Sequence, residues 1–183
     1  MKKPLWGKLG LGMIMALCIS GSWAETTADP KPSYKEITRS KAWLVGERQF
    51  PGAEKQYFAT TPQANDPGKG STFFSLVCIH SKPDQLLVLV ESKEMLTETN
   101  VLFKVQFGKE ERQGTLPLQK FSDKDRNLHA VIPVTSPMLA DLKRADPYFA
   151  IGYKKQGKEF IHGYLSAGST NAINTLLKVC KAG

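Results

Sequence analysis

The sequence predicts a mainly β protein, an antiparallel β-sandwich or open barrel with a C-terminal α-helix tied to a central strand by a disulfide. Three observations predict it. Short apolar segments recur every 10–15 residues with turn residues between them. A helical stripe of Ala172, Ile173, Leu176, Leu177 and Cys180 closes the chain. Two cysteines, Cys78 and Cys180, remain once an exported chain loses its leader.

The leader is read from the first 24 residues. "MKKPLWGK" carries Lys2, Lys3 and Lys8 and no acid, and an uncharged run from Leu9 to Ile19 follows. Ser22 and Ala24 then supply small residues at the −3 and −1 places of a cleavage site. The apolar run falls short of the roughly 20 residues that span a bilayer, so no stable membrane anchor is expected. Leu17 precedes Cys18 where a lipoprotein signal would have a small residue. Cleavage between Ala24 and Glu25 is expected to release a periplasmic or secreted protein. Residues 25–40 read as a flexible lead-in and 41–183 as one β-rich domain.

Export removes Cys18 and leaves an even pair, which in an oxidising compartment reads as a disulfide. Cys78–Cys180 would close a loop of about 100 residues, for which chain-entropy estimates give about 4–5 kcal/mol. It would staple a terminal helix that would otherwise fray. The net charge of +8 falls to +5 when the three leader lysines are removed, leaving 22 basic and 17 acidic residues. Acids are interleaved with most of the bases, so no stretch looks like a nucleic-acid arm.

The elements follow in order. "KAWLVGERQF" gives a strand around Ala42–Glu47, and "QFPGAE" a turn. "KQYFATTPQ" is the second strand, and "ANDPGKG" a loop. "STFFSLVCIH" is apolar on both faces, with Phe74, Leu76 and Cys78 on one and Phe73, Val77 and Ile79 on the other, which marks a central strand. "SKPDQ" turns the chain into "LLVLVES". Val101, Phe103, Val105 and Phe107 alternate cleanly in the next strand. "GKEER" reads as a hairpin tip, and "GTLPLQKF" as a weaker edge strand because Pro117 lacks a donor. "NLHAVIPV" alternates again. In "TSPMLADLKRAD", Thr135 or Ser136 would cap a short helix with Pro137 in its first turn. "PYFAIGYKK" and "KEFIHGYLSAG" form a hairpin about Gly157, and Ser169 or Thr170 would cap the final helix.

Chemistry is sparse. His80, His129 and His162 have no ligand spacing among them, and there is no G-x-S-x-G elbow or phosphate loop. No catalytic residue, cofactor or metal site is expected. The amides of "AGSTNA" could hold an anion, although a capping role is the commoner use of such residues. The aromatic residues Trp43, Tyr57, Phe58, Tyr148, Phe149, Tyr153, Phe160 and Tyr164 gather in the first strands and the late hairpin. Core packing is their commoner role. The candidate binding surface is the late hairpin, where Tyr153 and Phe160 are interleaved with Lys154, Lys155 and Lys158.

The leading Trp strand, "YFATT", the strand ending in Cys78, "LLVLVES", the V-x-F-K-V strand and the close "FIHGYLSAGSTNAINTLLKVC" together form a pattern. With Phe160, Ala172, Ile173 and Cys180, that close resembles the endings of small exported bacterial proteins. These are the periplasmic accessory proteins of type VI secretion (the VasI/TagO kind) and the invasion-associated locus B proteins. Those relatives often carry an aromatic residue after the last cysteine, where this chain ends "CKAG". The resemblance implies a non-enzymatic envelope protein, secretion- or virulence-associated, that binds an envelope or secretion-apparatus protein. The alternatives are a glycan- or lipid-binding or inhibitor module, which a deep apolar cavity would favour, and an envelope-acting hydrolase, which a histidine–carboxylate pocket would favour.

Overall fold

The structure is a computed structural model that describes residues 31–64, 73–91, 101–107, 110–120, 127–155 and 157–182. The leader 1–24 and most of the "ANDPGKG" loop lie outside the described residues.

The described residues form eleven strands and two helices: β1 Ser33–Ser40, β2 Trp43–Gln49, β3 Gln56–Pro62, β4 Phe73–Cys78, β5 Gln85–Glu91, β6 Val101–Phe107, β7 Glu110–Leu116, β8 Gln119–Lys120, β9 Asn127–Pro133, α1 Pro137–Arg144, β10 Tyr148–Lys155, β11 Lys158–Leu165 and α2 Ser169–Ala182. They form a seven-stranded sheet, ordered β1-β2-β3-β4-β5-β9-β8, and a four-stranded sheet, ordered β11-β10-β6-β7. All pairings are antiparallel. The sheets do not close into a barrel. They meet at one corner, where Gln63 bridges Tyr164 and the Ala64 N–H donates to the Gly163 carbonyl.

Alternation decides which face of the large sheet is buried. Trp43 and Val45 of β2, Ala59 of β3, Phe74, Leu76 and Cys78 of β4, Leu86, Val88 and Val90 of β5, and Leu128, Ala130 and Ile132 of β9 point inward. They share one apolar cluster with Phe103, Phe149, Ile151 and Tyr164 of the small sheet. An aromatic chain crosses this interior. Phe74 stands edge-on to Trp43 and to Phe149, and Phe149 stacks on Tyr164 with centroids 5.4 Å apart. Of the aromatic group singled out in the sequence, Trp43, Phe149 and Tyr164 are therefore core.

The C-terminal helix packs on β2, β3 and β4 through Ala172, Ile173, Leu176 and Cys180. β4 lies fourth of seven strands, and Cys78 at its end bonds Cys180 across 5.6 Å between Cα atoms. The staple expected from two cysteines is thus in place.

Three expectations are corrected. Residues 33–40 of the expected flexible lead-in form β1, held by backbone pairing to β2 with a bulge between Glu36 and Thr38. Glu110 and Glu111 stand beside a hairpin tip as expected: Glu110 pairs with Phe107 and Glu111 with Gln106, the rungs of the β6–β7 hairpin next to its turn. The strand expected over "GTLPLQKF" is split: Leu116 ends β7 in the small sheet, and Gln119 and Lys120 make the two-residue edge of the large one. Pro117 stands at that transfer, where its missing donor costs no ladder bond.

The third concerns Ser169 and Thr170. Their hydroxyls donate to the carbonyls of Leu142 (2.7 Å) and Lys143 (2.6 Å), so they satisfy the C-terminal carbonyls of α1 instead of capping their own helix. Helix α1 is capped by Ser136, whose oxygen accepts from the Met138 N–H, with Pro137 in its first turn as expected.

Candidate functional site

The inner face of the large sheet is filled. Its outer face carries a groove of about 580 Å³ across β1 to β5. Strand register builds it. Leu44, Thr60, Ser75 and Leu89 are directly opposed across β2, β3, β4 and β5. The two central members of that row are small. The rows on either side are large: Pro62 opposite Phe73, and Phe58 opposite Val77. A short row between tall rows makes a trough that crosses the strands.

The floor has no unmet hydrogen-bond demand between its hydroxyls. Ser75 Oγ donates to Thr60 Oγ1 at 2.9 Å, and Thr60 Oγ1 donates to the Phe74 carbonyl at 3.1 Å. The walls are apolar and partly open to solvent; Phe73 is 37% exposed and Tyr34 56%. Gly46 explains how Phe58 lies down as a wall. A Cβ there would come within 2.9 Å of Phe58 Cζ and 3.0 Å of the Lys35 carbonyl oxygen. Only glycine leaves the ring that space.

Charge is distributed unevenly along the groove. Arg39, Lys41 and Arg48 line the β1–β2 side, and Glu91 lies on β5 at the other. Arg39 pairs with Glu36 at 2.9 Å. Lys41 holds a left-handed φ of 52° in the two-residue turn between β1 and β2. Arg48 is half-buried. Its guanidinium lies over the rings of Phe50 and Phe58 at 5.7 and 5.9 Å, and its Nε donates to Gln56 Oε1 at 3.0 Å. Among the described residues neither Lys41 nor Arg48 forms an ion pair. Burial pushes Arg48 below its ordinary value, because the charged form has lost water. Burial, and next Glu36, raise the Tyr34 phenol, with Arg39 acting the other way.

A smaller cleft, about 320 Å³, lies between β7 and α1, with the Arg112–Asp141 ion pair at 3.3 Å among its lining residues.

The late hairpin is formed as expected, with Tyr153 opposite Phe160, Lys154 opposite Glu159, and Lys155 opposite Lys158. Gly157 takes a φ of 76° at its tip. Lys158 is exposed; the side chains of Tyr153, Lys154, Lys155 and Phe160 lie outside the described residues. The hairpin and the groove are separate surfaces. Leu165, which lines the groove, and Lys158 end β11 at opposite ends, roughly 23 Å apart at a strand's rise.

The histidines are not brought together. His129 lies on β9 of the large sheet and His162 on β11 of the small one, and His80 follows β4 with its ring against Tyr57. Among the described residues no cluster of histidine, cysteine and carboxylate side chains could hold a metal ion, and no helix is long and apolar enough to cross a membrane. Sequence reasoning named Phe58 but missed Tyr34, Arg48, Thr60, Ser75 and Leu89 as parts of one site.

No protein-family model matches the chain, and neither the curated proteins nor the solved structures contain a match to it.

Proposed function

We propose that the chain is an exported envelope protein that works by binding, and that the outer-face groove of the large sheet is the surface it uses. The observation that carries this is the trough itself: an apolar, open concavity of ligand-binding size on the face that none of the described elements covers. Its lining supports binding over turnover. Among the described residues no histidine or cysteine lines it, and its one serine donates to Thr60 instead of to a base. Export is supported by the leader-like N-terminus and by a disulfide closing 102 residues of sequence separation. Service to a secretion or virulence process rests on the resemblance described above. The late hairpin around Lys158 is the alternative surface, suited to a protein partner in the envelope.

Site-specific photo-crosslinking in the periplasm of the native host tests this reading. A photoreactive residue at Leu89 is expected to capture one recurrent envelope molecule, identified by mass. The same residue at Lys178, exposed on α2, is expected not to capture it. Capture from neither position, or equally from both, would contradict use of the groove.

A further inference from the structure

We infer that the groove takes a single-chain anionic amphiphile of the long-chain fatty acid kind, its hydrocarbon tail along the trough and its carboxylate at the β1–β2 side. The inference rests on the binding reading above and names the ligand class.

The floor argues for a tail with no polar groups. The hydroxyls of Thr60 and Ser75 are engaged with each other and with a backbone carbonyl. A peptide laid here would bring backbone N–H and carbonyl groups over a surface whose hydroxyl protons are already committed, and unmet polar groups are costly. A methylene chain makes no such demand, and covering the trough removes apolar surface from water on both partners. Direction matters as well. The trough runs across the strands, so an occupant cannot extend the sheet by ladder hydrogen bonds as a docked strand would. From β1 to β5 there are four inter-strand spacings, about 19 Å in all, a length that suits one extended acyl chain.

The ends argue for the orientation. Arg48, beside the Phe58 wall on β2, has no ion-pair partner among the described residues; Lys41 lies at the opposite end of β2, roughly 23 Å away at a strand's rise, and Glu91 lies on β5 at the other side. A half-buried guanidinium gains a charge-assisted bond from an incoming carboxylate, whereas a carboxylate at the Glu91 end would meet a like charge. A neutral tail without an anionic head would leave Arg48 as it is, hydrogen-bonded among the described residues to Gln56.

Fluorescence titration of the oxidised protein with cis-parinaric acid and with its methyl ester tests this. The acid is expected to bind saturably, one to one, at least tenfold more tightly than the ester. Arg48→Gln is expected to weaken the acid at least tenfold and leave the ester within twofold; Lys41→Gln, in the turn at the opposite end of β2, is expected to leave both within twofold. Ser75→Phe, which fills the trough, should abolish both, and Ser75→Ala should keep both. Equal binding of acid and ester, no saturable binding, or unchanged binding by a Ser75→Phe protein that unfolds at the wild-type temperature would overturn the inference. So would tight binding to phosphatidylglycerol vesicles with none to the free acid. Recurrent capture of a protein from position 89 would remove the fatty-acid ligand and leave the groove as a binding site; no capture there would remove both.

Discussion

The indole N–H of Trp43 in β2 donates to the carbonyl of Leu165 at the end of β11, 3.0 Å away. The Thr61 hydroxyl of β3 donates to the same oxygen at 2.9 Å. One carbonyl of the small sheet is thus held by two strands of the large sheet, beside the corner where the sheets meet. Thr61→Val keeps the volume and removes one donor, so it is expected to cost about 1 kcal/mol in denaturant unfolding. Trp43→Phe removes the other donor and leaves a void in the aromatic core, and is expected to cost about 3 kcal/mol.

Among the described glycines, Gly168 meets its neighbours most closely. Its φ is 93°, and a Cβ there would fall on the Ser40 carbonyl oxygen. Gly168→Ala must part the β1–β2 turn from the start of α2. It is expected to lower stability by about 2–4 kcal/mol, measured by urea unfolding, and to speed exchange of the Ala42 amide, which donates to the Ala167 carbonyl.

The disulfide anchors the far end of the same helix. Its loop is long, so Cys180→Ser is expected to cost about 4–5 kcal/mol. Peptide mapping of the protein purified from an oxidising compartment should find Cys78 joined to Cys180. Two free thiols would contradict the staple.

Gly46 links the fold to the groove. Gly46→Ala pushes a methyl group against Phe58 and the Lys35 carbonyl. It is expected to cost about 1–3 kcal/mol and to weaken ligand binding more than Gly52→Ala, which has open space around it in the β2–β3 loop.

Tyr34 gives a pH signature. Its phenol is raised above the ordinary value of 10.0, so the native state keeps this proton longer than the unfolded chain does. The contribution is whole below about pH 10 and is lost as pH rises through the native value. Relative to Tyr34→Phe, wild-type stability should therefore fall as pH rises above about 10. A bound carboxylate nearby should move that fall to still higher pH.

The sequence made the buried parts of this fold legible, because burial writes a period. The inward residues of β4, β5 and β9 alternate with the outward ones, and α2 carries a helical stripe ending in Cys180. β1 was not legible. Its backbone pairing to β2 holds it at an edge where almost every side chain is exposed, so no apolar alternation announces it, and the bulge near Ile37 breaks what alternation there is. The groove was invisible for a different reason. Thr60 in "YFATT" and Ser75 in "FFSLV" are ordinary small residues, 15 apart in sequence. They become a trough only when register sets them side by side between Leu44 and Leu89, and a single sequence does not state register.

The most direct test of the account is a ¹⁵N–¹H chemical-shift titration of the oxidised protein with palmitate below its aggregation threshold. The account predicts shifts concentrated on β2 to β5 around Leu44, Thr60, Ser75 and Leu89, with the Arg48 side-chain Nε–H among them. Shifts centred on the β10–β11 hairpin around Lys158, or no shifts at all, would contradict it.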